Sequence, residues 1–117
     1  MAYVDGFVLA VPKARFEDYR ALATLAAEVW KERGALSYVE CLADDVPYGT
    51  LTSFPRAVQA TEDEVVVFAW ITYASREHRD AVNAQVMADP RMDHDASQMP
   101  FDGRRLIFGG FQAFVER

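Results

Sequence analysis

The chain has 117 residues, a formal net charge of −6, and 51% hydrophobic against 26% charged residues. That length suits one domain with a single core, residues 1–117, and the composition is that of a globular protein. The acidic balance argues against nucleic acid, whose binding draws on a basic surface. No run approaches the ~18 apolar residues of a membrane span, and the N-terminus lacks a leader pattern, so the chain reads as cytoplasmic with no membrane partner.

Val4 to Val11 is a near-continuous apolar run and reads as the first strand, with Pro12 marking the turn after it. Apolar residues then recur at Phe16, Tyr19, Leu22, Ala23, Ala26, Val29 and Trp30. This is one helical stripe, predicting a helix over Lys13 to Arg33 that Gly34 stops.

Leu36 to Ala43 reads as a strand with Tyr38, Glu40 and Leu42 on one face. It contains Cys41, the single cysteine, read as a small packed residue rather than a reactive thiol. Pro47 and Gly49 break this strand, and an extended arm at about 44–64 follows, longer than a hairpin connection. Leu51, Phe54, Ala57 and Val58 suit an ordered arm that packs on the body or crosses to a neighbour.

Val65 to Tyr73 (VVVFAWITY) is apolar on both faces and predicts a strand covered on each side. A second helix is expected from Ser75, a capping hydroxyl, to Asp89, ahead of Pro90. An irregular segment, Met92 to Gly103, leads to a last strand over Arg104 to Val115. Gly109-Gly110 within it suggests a bulge, a bend or close approach by another backbone. The order βαββαβ predicts an α+β, ferredoxin-like fold with two helices on one face of a four-stranded antiparallel sheet.

The other face then needs a cover. Taking small residues as the helix-facing set places Val4, Val8, Ala10, Val65, Val67 and Ala69 under the helices. Asp5, Phe7, Leu9, Val66, Phe68 and Trp70 then point outward by alternation. Three outward aromatics amount to about 450 to 750 Å² of apolar area, too much to leave wet. A second copy stacked sheet to sheet buries it symmetrically, giving a homodimer.

Five blocks in order, Tyr3 to Phe7 (YVDGF), Val11-Pro12-Lys13, Asp44 to Pro47 (DDVP), Asp89 to Met92 (DPRM) and Met99 to Arg105 (MPFDGRR), extend the argument. They resemble a family of small, uncharacterised bacterial proteins, a domain of unknown function within the dimeric α+β barrel, ferredoxin-like superfamily. The resemblance implies the same fold and dimer and brings no established reaction. The wider superfamily includes cofactor-free monooxygenases, isomerases of small cyclic compounds, haem enzymes and stress proteins. Some relatives carry a name suggesting the RNA of the signal recognition particle, which the charge here opposes.

Asp5 and Glu40 are carboxylates in apolar strands and the best catalytic candidates, because desolvation moves a carboxyl toward useful acid or base range. The competing reading pairs them with Arg104 or Arg105, or sets them at a wet barrel mouth. Phe7, Tyr38, Phe68 and Trp70, with Arg105 nearby, are the candidate ligand-binding set for a small apolar or aromatic molecule; a filled inter-sheet core is the alternative. Asp93-His94-Asp95 and His78 are too few and too adjacent for a metal or haem site, so no metal and no cofactor is expected. No serine sits on a hydrolase elbow and no glycine loop cradles phosphate. The expectation is a small-molecule-binding dimer, with cofactor-free catalysis open, against a non-catalytic protein-interaction module.

Overall fold

The computed structural model describes residues 1–117. Strands β1 (Tyr3–Pro12), β2 (Ser37–Leu42), β3 (Glu64–Tyr73) and β4 (Ile107–Gln112) form one sheet in the order β2-β3-β1-β4. Every pairing is antiparallel. Helices α1 (Phe16–Glu32) and α3 (Arg76–Met87) follow β1 and β3, and a single-turn helix α2 (Phe54–Ala57) lies in the arm. The architecture is α+β and ferredoxin-like, with α1 and α3 on one face. No helix is long and apolar enough to cross a membrane.

Local chemistry sets most boundaries. Gly34 takes φ +116°, the left-handed geometry that ends α1. Ser75 caps α3 by accepting from the His78 amide at 3.1 Å. Ser53 does the same for α2 from the Arg56 amide. Residues Lys13–Arg15, expected as the first turn of the long helix, form a tighter 3₁₀ turn instead. The last strand is shorter than expected, because Arg104 and Arg105 belong to another 3₁₀ turn.

Gly109 and Gly110 make no bulge: the β1–β4 register runs unbroken through Gly6↔Gly109 and Asp5↔Gly110. The close approach comes from a side chain. A Cβ on Gly110 would stand 2.8 Å from the Tyr3 ring, so the glycine leaves room for that ring.

The register also corrects the facing of β1. Phe7 opposes Ala69 and Leu9 opposes Val67, so each pair shares a face. Asp5, Phe7 and Leu9 therefore lie under the helices with Val65, Val67 and Ala69, and Val4, Val8 and Ala10 lie on the far side. On the helix side, Val29, Ala35, Ile71, Tyr73, Val82 and Val86 form one core cluster. Leu9, Val11, Tyr19 and Val67 form another. The arm folds back across one end of the far face, where Val58 packs with Val8, Ala10 and Val66. Phe54 meets the Phe68 ring edge-on at 5.8 Å. The rest of that face has no cover within the chain: Phe68 is 43% exposed, Ile107 45% and Phe111 64%.

Candidate functional site

The helix-facing residues of β2 alternate Tyr38, Glu40, Leu42, opposite Ile71, Ala69 and Val67 of β3. Ala69 is small, and Ala23 and Ala26 of α1 line the same space, so the side chains there leave a gap unfilled. The result is a cavity of about 170 Å³ whose walls include Phe7, Tyr19, Trp30, Tyr38, Glu40 and Phe101. A second hollow of about 280 Å³ adjoins it and reaches the surface at Arg20, Thr24 and Leu42. Tyr19, Ala23, Tyr38 and Glu40 line both, so these residues form the wall that the two hollows share.

Glu40 is the one acidic residue in the inner wall. The Tyr19 hydroxyl donates to its Oε1, and the Tyr38 hydroxyl donates to Oε2 at 2.6 Å. Burial and the adjacent carboxylate both hold the Tyr19 and Tyr38 protons, raising each phenol well above its usual range. Both tyrosines therefore stay neutral donors at physiological pH. Aromatic packing fixes their rings, with Tyr19 edge-on to Phe101 at 5.6 Å and Tyr38 tilted on Trp30 at 5.9 Å.

The cavity divides the residues singled out from sequence. Phe7, Tyr38 and Glu40 come together in it, between sheet and helix rather than between two sheets. Phe68 and Trp70 lie on the far face, 5.6 Å apart. Asp5 is buried elsewhere, at the α3 end, where Arg79 Nη1 donates to it at 2.8 Å and stacks over the Tyr3 ring. Arg105 clasps Glu64, at 2.6 and 2.8 Å, and Asp102, at 3.2 Å. Neither Asp5 nor Glu40 pairs with Arg104 or Arg105. Tyr19, Trp30 and Phe101 were not anticipated as site residues: the first two belong to the amphipathic stripe of α1, where an aromatic reads as core, and Phe101 sits in an irregular stretch.

That irregular stretch roofs the chamber with Met92, His94, Met99, Phe101 and Leu106. Its ends are held by two arginine clasps that explain the DPRM and DGRR blocks. At the first, the Asp89 carboxylate accepts from the Arg91 backbone and guanidinium and from Arg33. At the second, Asp102 accepts from the Arg104 backbone while Arg105 reaches across to Glu64.

The Arg91 bonds hold the Asp89 carboxyl well below its usual range, Arg33 adding to them, and the Arg105 bonds lower Glu64 in the same way. A lowered folded-state pKa contributes stability that is complete above the unfolded value and disappears as acid protonates the folded carboxylate. Asp89→Asn is therefore expected to melt several degrees below the parent at pH 7, with the gap narrowing progressively as the pH falls below about 5. A gap independent of pH in thermal melts would refute this account. Asp5 has the opposite sign: burial raises it despite Arg79, so its contribution weakens as pH rises through the carboxylate range.

No three His, Cys, Asp or Glu side chains converge as a metal cluster. A family model described as a protein of unknown function (DUF1428) matches residues 2–103. The Escherichia coli K12 protein termed "Uncharacterized protein YbaA" is 53% identical over 116 residues, 99% of either chain. A Shigella flexneri protein with the same description matches to the same extent.

Proposed function

The chain belongs to the DUF1428 family of proteins of unknown function, and on that premise we propose that it is a homodimer binding a small apolar or aromatic molecule in the chamber beneath α1. The observation that carries this reading is a void walled largely by aromatic and aliphatic side chains with a single carboxylate in its wall. Small-molecule sites are commonly built this way, with apolar walls and few convergent polar groups. An apolar cavity of about 150 Å³ takes up a benzene ring, so a chamber of about 170 Å³ suits a single ring. Glu40 is also the group able to accept a proton from a bound ligand, as a cofactor-free isomerase or monooxygenase requires.

The homodimer rests on the uncovered far face, where Phe68, Trp70, Ile107 and Phe111 form an apolar surface that a two-fold partner matches with its own copy.

Single-ring aromatics in a thermal-shift screen are expected to raise the melting midpoint, a ligand at 100 times its Kd adding about 2.7 kcal/mol. Ala23→Leu, which places a branched side chain into the void, is expected to remain folded and lose the shift. Silence across a broad set of aromatics would count against the binding reading and favour an interaction module. A shift unchanged in Ala23→Leu would place the ligand elsewhere.

A further inference from the structure

The chamber's polar end specifies more than an aromatic occupant. We propose, building on the binding reading above, that the ligand is a single-ring phenol whose neutral hydroxyl donates to Glu40, so that Glu40 is the specificity-determining residue.

An ionised carboxylate offers about four lone-pair sites. Tyr19 takes one on Oε1 and Tyr38 takes one on Oε2. No arginine or lysine pairs with Glu40; the one arginine in the walls of the two hollows is Arg20, which bonds Glu17 and lies over the Phe16 ring. Glu40 is thus a partly buried acceptor with unused capacity and no countercharge. A donor brought in by the ligand supplies what the protein does not, through a charge-assisted hydrogen bond.

Three competing chemistries fit less well. A ring bearing a carboxylate would meet the Glu40 charge with no lysine or arginine in the inner wall to offset it. A primary ammonium brings a full charge and three N–H donors, and apart from Glu40, its two phenols and His94 in the roof the wall is apolar, so its desolvation costs more than that of a single hydroxyl. A hydrocarbon ring fills the void but makes no use of the acceptor capacity that Glu40 has beyond its two tyrosine bonds. One hydroxyl on one ring matches both the volume and the free acceptor.

The test is calorimetric titration of the native protein and Glu40→Gln with p-cresol, toluene, benzoate and benzylammonium. The expected result is p-cresol binding at least tenfold tighter than toluene, with Glu40→Gln bringing the p-cresol to toluene ratio close to one. Equal affinity for p-cresol and toluene in the native protein would overturn the phenol assignment and leave the cavity reading intact. So would tightest binding of benzylammonium or benzoate. Absence of binding by all four would overturn the cavity reading and this inference together. Should Glu40→Gln fail to fold, the native p-cresol to toluene ratio decides by itself.

Discussion

Tyr73→Ala is expected to lower the unfolding free energy by about 3 to 5 kcal/mol, the usual range for emptying a buried aromatic site. Tyr73 has 0% exposure and lies in the cluster that joins β3 to α1 and α3 through Val29, Ile71, Val82 and Val86. Its hydroxyl accepts from Trp30 Nε1 at 3.1 Å and donates to Asn83 Oδ1 at 3.3 Å, tying both helices to the strand end. Losing the ring opens a void and removes that polar link together. Tyr73→Phe keeps the volume, and Trp30 retains Asn83 at 3.2 Å, so its cost is expected near 1 kcal/mol. A domain of this size has roughly 6 to 15 kcal/mol in all. The alanine variant should therefore show a large drop in urea midpoint and the phenylalanine variant a small one. Equal midpoints for the two variants would mean the ring itself contributes little, against the packing described.

Phe68→Lys is expected to convert the proposed dimer to monomers, weakening association at least 100-fold, or about 2.7 kcal/mol. Phe68 is central to the uncovered sheet face, flanked by Trp70 on its own strand and by Phe54 of the arm. In a face that meets its own copy, one substitution enters twice, replacing two apolar contacts and adding two like charges. Sedimentation velocity at micromolar concentration reads the outcome directly. A native protein that sediments as a stable monomer would refute the assembly, and a variant that stays dimeric would refute the proposed surface. The chamber beneath α1 lies on the other side of the sheet, so aromatic binding by the monomeric variant tests whether the two features are independent.

The facing of β1 depends on information that its own residues do not carry. Period-two alternation separates Asp5, Phe7 and Leu9 from Val4, Val8 and Ala10, and that division is correct. It does not say which set faces the helices. Taking the small residues as the helix-facing set sends Asp5 to the outer face, yet Asp5 is 6% exposed on the helix side, where Arg79, 74 positions later, supplies the countercharge. The same holds for Arg105, whose partner Glu64 lies 41 positions earlier. Glu40 was singled out for being a carboxylate in an apolar strand, a local anomaly that sequence does display. Its partner Tyr19 was hidden, because on a helical stripe a tyrosine bound to a carboxylate looks like any other packed ring.

Element order, the capping residues Gly34 and Ser75, and the excess of apolar strand surface were determined by the sequence alone, since each depends on neighbours within a few residues. Strand facing, the arginine clasps and the Tyr19–Glu40–Tyr38 arrangement were decided only by tertiary structure. Each depends on register and on partners brought together by chain closure, and periodicity along one segment carries no information about what another segment presents to it.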